Sequence, residues 1–351
     1  MVGGMQPIRV VALTPAGARV ARRLCQVLEG AACWLPASRA EPGEQSFDSL
    51  TAVFAEAFAQ STSLVCIMAA GIVVRQVAPL LQGKDRDPAV VVVDEGGRFA
   101  VSLLSGHLGG ANDLAQRVAR ALGGTPVITT ATDVQGLPAL DLLAAQAGLV
   151  IENLDGVKEV SMALLSGEPV RLVDPEGRLA GALKGHSQLF TREGDLEQAL
   201  ARDSGPTVYV GYEERAWPPE WLRLRPRVLI AGIGCHKGTP ASEILGFLEE
   251  NFRQAGLSLL SLKALATIAA KKDEPGLECA ARRLNVDLLW FTAEELEKVP
   301  VPTPSAQAAR HVGAKSVSEA AALKAAQGEL LVPKRKGANV TVAVARAVSP
   351  S

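Results

Sequence analysis

The chain has 351 residues and a formal net charge of −1, so it is too long for one ordinary core and has no global attraction for nucleic acid or a membrane surface. Hydrophobic residues make up 48% and charged residues 21%, which excludes a disordered chain. Aromatics are only 4%, and the remaining apolar share suits helices packed on buried parallel strands.

In chain order, Ile8 to Leu13 reads as a strand, Thr14 to Gly17 as a turn, and Ala18 to Leu28 as a helix stopped by Gly30. A second helix is expected over Ser49 to Ala59 with Asp48 as its N-cap. Leu64 to Met68 is a buried strand, followed by a helical stretch that Pro79 restarts or kinks. Ala89 to Val93 predicts a central strand, residues 94–97 a turn, and Phe99 to Leu104 a returning strand. Then come a helix over Ala111 to Leu122, ended by Gly123 and Gly124, and a strand over Val127 to Thr130. Further on, helices are expected at Leu142 to Ala147 and Val157 to Leu165, and strands at Val170 to Val173 and Thr207 to Val210. Glu213 to Pro226, with three prolines and two tryptophans, reads as a packed linker rather than a strand. A new unit begins at Arg227, with a strand at Val228 to Ile233, the turn GCHKGTPA and a helix over Ser242 to Gln254. Leu288 to Phe291, Leu330 to Val332 and Val340 to Ala345 are strands; helices start at Thr292, with a capping box to Glu295, and span Ser318 to Ala326. The pattern implies two open, mostly parallel α/β domains, 1–140 and 227–351, joined by a smaller middle α/β region over 141–226.

Five cysteines, Cys25, Cys33, Cys66, Cys235 and Cys279, are scattered without CxxC spacing, which argues against a zinc ribbon or disulfide framework and for a reducing cytoplasm. The first residues lack a leader pattern. No apolar stretch approaches the roughly 20 residues of a spanning helix.

The densest chemistry lies between Gly71 and Asp133. In SGHLGGAN, Ser105 and His107 precede a helix, while Gly106, Gly109 and Gly110 allow close backbone approach to a ligand. Amides at that helix N-terminus suit a carboxylate; Ser105 serves the ligand or caps the helix. His107, with an ordinary pKa of roughly 6.5, suits proton transfer near neutrality. Asp94, Glu95 and Asp133 end neighbouring strands and are expected to orient it or activate water. Arg75 and Lys84 are candidate carboxylate binders. In the carboxy-terminal unit, GIGCHKGT follows a strand and precedes a helix, an anion-binding arrangement offering Gly232, Gly234, Cys235, His236, Lys237 and Gly238. Its spacing is neither a P-loop nor GxGxxG, which counts against nucleotide cofactors. Cys235 and His236 are sequence neighbours, so a shared metal is not expected. A structural role for Cys235 is the simpler reading than a nucleophile.

GIVVRQVAPLL, DPAVVVVDEGGRF, SLLSGHLGGAN, PVITTATD, GIGC-x-x-G, KKDEPGL (Lys271 to Leu277) and SVSEAAAL (Ser316 to Leu323) occur in one order from about Leu64 to Ala345. Together these motifs resemble the cobalt-precorrin-5A hydrolase family of cobalamin biosynthesis. The resemblance implies that water opens the δ-lactone of a cobalt-bearing macrocycle and a two-carbon fragment leaves as acetaldehyde, giving cobalt-precorrin-5B. It also implies that the carboxy-terminal domain is similar to a stand-alone protein of the aerobic pathway. Catalysis is assigned to His107, Asp133 and Glu95. Substrate binding falls to Arg75, Lys84, Ser105, Gly106, Gly109, Gly110, Asn112 and the GIGCHKG turn. No resident cofactor or metal is expected, since cobalt arrives within the substrate. The expected partner is the corrinoid, with other pathway enzymes and a second copy as candidates and neither nucleic acid nor membrane. The rival reading is a corrinoid-binding or channelling protein without turnover. A serine hydrolase built on Ser105 is disfavoured by the missing G-x-S-x-G elbow.

Overall fold

The computed structural model describes residues 7–83, 86–202, 205–303 and 316–348. The chain divides into two compact units, Met1–Leu142 and Leu143–Ser351. Lys84 lies outside the described residues.

In the first unit, β1 (Ile8–Ala12), β2 (Ala31–Pro36), β3 (Gln45–Phe47), β4 (Ser63–Ile67), β5 (Val90–Val93), β6 (Phe99–Leu104) and β7 (Thr125–Val127) form one sheet in the order β3-β2-β1-β4-β5-β6-β7. All neighbours are parallel except β5 and β6. Consecutive strand residues point to opposite faces, and both faces are apolar. Val10, Val65, Ile67, Val91 and Val93 pack under α1 (Pro15–Val27) and α4 (Ala111–Leu122). Val11, Leu64, Cys66, Val90 and Val92 pack under α2 (Leu50–Ala59) and α3 (Ala70–Val77). Two short helices, α5 (Ala131–Val134) and α6 (Leu140–Gln146), follow β7.

The second unit holds two five-stranded sheets. β8 (Leu149–Ile151), β9 (Val170–Val173), β10 (Phe190–Glu193), β11 (Thr207–Val210) and β12 (Trp221–Pro226) run in the order β10-β9-β11-β12-β8, with α7 (Leu154–Leu165) and α8 (Leu196–Ala201). β13 (Leu229–Cys235), β14 (Leu262–Ile268), β15 (Asp287–Phe291), β16 (Glu329–Lys336) and β17 (Val340–Arg346) run β15-β14-β13-β17-β16. α9 (Ala241–Gln254) and α10 (Pro275–Leu284) cover one face of the latter sheet; α11 (Ala293–Glu297) and α12 (Val317–Ala326) cover the other.

Three local expectations fail. Trp221 to Pro226 is an interior strand, because its one proline is the last residue of β12 and Pro218 and Pro219 precede it. The strand after α4 is Thr125–Val127 rather than 127–130. Ser49, not Asp48, caps α2, accepting from the Ala52 amide at 3.3 Å.

Candidate active site

The loop between β6 and α4 is shaped by its carbonyls. Ser105 sits at φ +59°, in the left-handed region. Its carbonyl accepts the Ala111 amide at 3.0 Å, and the Gly106 carbonyl accepts that of Asn112 at 3.0 Å. The first two amides of α4 are therefore spent within the loop, so the expected carboxylate site at this helix N-terminus is not offered. Nor does Ser105 cap the helix: Gly110 is the N-cap at φ +84°, and the Ser105 hydroxyl is buried without a hydrogen-bond partner among the described residues. Gly106 and Gly109 are close-approach positions. A Cβ on Gly106 would lie 2.8 Å from Asn112 Oδ1, and one on Gly109 would lie 2.4 Å from Ser105 Cβ.

This loop delivers His107 to a polar cluster. Its Nε2 lies 2.8 Å from Asp133 Oδ2, and its Nδ1 lies 3.5 Å from Asp141 Oδ1. The Thr132 hydroxyl is 3.5 Å from Nε2. Asn112, buried on α4, donates from Nδ2 to Asp133 Oδ2 at 3.0 Å and to the Thr130 hydroxyl at 3.2 Å, and accepts from the Ser102 hydroxyl at 2.6 Å. Both carboxylates come from the chain after β7, which runs parallel to β6 and ends beside the same edge.

The electrostatics narrow the role of His107. The Asp141 hydrogen bond, opposed by burial and reinforced by Asp133, lifts its pKa to about 9. At neutral pH it is an imidazolium, hence an acid rather than a free base. Burial pushes the Asp141 carboxyl up, but the His107 contact outweighs it and the net shift is downward. Asp133 is the most exposed of the three side chains, at 34% against 19% for His107 and 17% for Asp141.

Glu95 does not join this cluster. β6 runs antiparallel to β5, so Leu104 lies level with Val90 while Ala100 lies level with Val93. Glu95 follows Val93 and is therefore at the opposite edge, separated by the length of β5, about 10 Å or more. There it accepts a hydrogen bond from the Thr14 hydroxyl. Asp94 is a turn residue, taking the amides of Gly96, Arg98 and Phe99 at 3.1, 2.8 and 2.7 Å. Arg75 lies on α3, where it donates to its own helix's Gly71 carbonyl at 2.9 Å.

In the second unit the glycine turn is partly structural. A Cβ on Gly232 would lie 1.8 Å from the Ser318 carbonyl of α12, and one on Gly234 would lie 2.6 Å from Thr341 Oγ1. These two glycines serve close packing rather than ligand approach. Gly238, at φ +75°, gives its amide to Glu274 Oε2 at 2.8 Å, and Lys271 pairs with Oε1 of the same carboxylate at 3.0 Å. The anion on this turn is thus an internal one. Cys235 ends β13 and burial pushes its thiol up, with Lys271 opposing; it is not an activated nucleophile. His236 and Lys237 are exposed.

The sequence motifs therefore bring together Ser102, Asn112, His107, Thr130, Thr132 and Asp133 on one edge. Asp141 was missed because it opens a helix in a stretch read as a separate region. Glu274 and Lys271 lie in a motif noted for its resemblance but not for a site.

An α/β chain with an imidazolium between two carboxylates at a sheet edge, and no nucleotide-type glycine turn, has the parts of a proton-transfer enzyme. Three family models cover the sequence: "Cobalamin synthesis G N-terminal" over residues 52–133, "Cobalamin biosynthesis central region" over 138–226 and "Cobalamin synthesis G C-terminus" over 229–345. A cobalt-precorrin-5A hydrolase of Priestia megaterium is 34% identical, across 96% of this chain and 94% of that protein. One of Salmonella typhimurium (strain LT2) is 37% identical, across 97% and 98%. Among solved structures, CobE, a protein from the cobalamin (vitamin B12) biosynthetic pathway, is 37% identical over 35% of this chain and 95% of its own, with a TM-score of 0.34. The chain belongs to the cobalt-precorrin-5A hydrolase family.

Proposed function

We propose that the protein hydrolyses cobalt-precorrin-5A, opening its δ-lactone and releasing acetaldehyde to give cobalt-precorrin-5B. The observation that carries the catalytic reading over a carrier role is the 2.8 Å contact between His107 and Asp133 in the glycine-rich loop. Asp133 is the solvent-facing partner and takes a proton from the attacking water. The lactone carbon–oxygen bond breaks, and the freed oxygen collapses to the aldehyde as the carbon–carbon bond to the ring breaks. His107 supplies the proton that the ring carbon gains. One water enters, the freed carboxylic acid stays on the macrocycle, acetaldehyde leaves, and the Asp133–His107 pair ends as it began.

No resident cofactor enters this scheme, since the cobalt is part of the substrate. The corrinoid is the required partner; pathway enzymes that pass it on, and a second copy of the chain, are further candidates. No helix among the described residues is long and apolar enough to cross a membrane, and the five cysteines are free; both agree with the cytoplasm as the proposed location. The test is anaerobic incubation of the protein with cobalt-precorrin-5A, with acetaldehyde followed by a coupled alcohol dehydrogenase. Release in step with substrate loss is expected. Tight corrinoid binding with no acetaldehyde above the enzyme-free control would establish the carrier reading instead.

A further inference from the structure

We propose that Asp141 is a positioning residue for this reaction: it holds His107 in the doubly protonated, rotationally fixed state from which the proton is given. The inference rests on the hydrolase reading and adds a residue to it.

A neutral imidazole has one N–H, an imidazolium two. His107 presents Nε2 to Asp133 at 2.8 Å and Nδ1 to Asp141 at 3.5 Å. Both are carboxylates, which only accept when ionised. With one proton on the ring, one carboxylate would face a nitrogen lone pair in a part-buried site. With two protons both contacts are attractive. Asp141 is therefore the group that makes the singly protonated ring unfavourable, while Asp133 alone would be satisfied by an Nε2–H tautomer. The same two contacts fix the ring plane, because rotation about its bonds would break one of them. The upward shift of the His107 pKa, with Asp141 its first cause, agrees with this geometry.

Among the described residues, the charged groups that act on His107 are Asp141 and Asp133. From α4 comes neutral Asn112, and the chain after β7 gives the neutral Thr132 hydroxyl. The first-turn Asp113 of α4 is 73% exposed and lies 3.8 Å from Arg117. Asp87, whose carbonyl lies near Gly109, spends its carboxylate on the Gln82 and Gly83 amides at 2.9 and 3.3 Å. Asp141 also accepts the Leu142 amide at 2.8 Å, so a purely structural role at the start of α6 is the alternative to be separated.

The experiment titrates the histidine Cε1 resonances of the wild type and of Asp141→Asn by NMR, with His107→Asn identifying the relevant signal among the four histidines. Turnover is followed from pH 6 to 9.5 in parallel. Loss of a carboxylate at this distance should lower the His107 midpoint by roughly one to two pH units. The alkaline limb of kcat should move with it, so the ratio of kcat at pH 8.5 to that at pH 6.5 falls roughly three- to twentyfold, with KM little changed. Asp141→Glu should restore the limb in part. Asp141→Ser provides a second neutral variant should the amide disturb folding. An unchanged midpoint overturns the proposal, as does a midpoint that moves while the kcat limb stays. Absence of turnover in the wild type would fail the hydrolase reading separately, and the midpoint would still decide whether Asp141 sets the charge of His107.

Discussion

A histidine's chemistry is decided by what holds its two nitrogens, and His107 shows how far that can depart from its ordinary pKa. Two carboxylates hold it charged at neutrality, so the variant that isolates its role removes the charge without emptying the space. His107→Asn is expected to lower kcat by roughly 100- to 10,000-fold, the usual range for a lost acid–base group. Corrinoid affinity should change little, because the group acts on the transition state rather than on binding. Cys235→Ala is expected to stay within a few-fold of wild type on both measures, since burial holds that thiol in its neutral form. Single-turnover kinetics and spectroscopic titration of the two variants check this. Lost turnover in Cys235→Ala beside normal turnover in His107→Asn would move the chemistry to the second unit.

At the scale of elements, glycine positions separate packing from ligand approach. Gly232 lies where a Cβ would come within 1.8 Å of the Ser318 carbonyl, so α12 rests directly on β13. Gly232→Ala must push the helix off the sheet and is expected to destabilise by about 1–3 kcal/mol. Gly181→Ala, where nothing lies within 4 Å, should leave the urea midpoint unchanged; equal midpoints for the two variants would refute the close-packing account. Much of this level was legible in the sequence, for physical reasons. Val90–Val93 is buried on both faces and reads as an apolar run, and Leu122 before Gly123 ends α4 at φ +69° as expected. β12 was illegible because Pro226 ends it beside an antiparallel edge strand, β8, rather than interrupting its ladder. The hairpin reversal at β5 and β6 also hid which strand ends share an edge. For that reason Glu95 looked like a neighbour of His107, and Asp141, delivered by α6, did not.

For the whole molecule, these ion pairs set how stability varies with pH, and the two directions of shift act in different windows. The carboxyls of Asp141 and Glu152 lie below their ordinary range: burial pushes both up, but His107 in one case and Arg225 with Arg223 in the other more than offset it. A depressed carboxylate contributes stability that is present above its unfolded pKa and is lost as pH falls through the folded one. Acid should therefore weaken both units, since Asp141 belongs to the first and Glu152 to the second. His107 acts at the other end. Its pKa is raised from the ordinary 6.5 to about 9, so its contribution is complete below pH 6.5 and disappears as pH rises toward 9 and beyond. The shift corresponds to at most about 3 kcal/mol by linkage, and on the order of 2 kcal/mol after allowance for partial exposure. Because the contribution is confined to one imidazole, it can be isolated by substitution. Urea unfolding at pH 6.5, 7.5 and 9 should show the wild type losing about that amount across the range, while His107→Asn, already weakened at pH 6.5, should show a much flatter dependence. Parallel curves for the two proteins would mean that the alkaline loss arises elsewhere and that His107 is not held charged in the folded state.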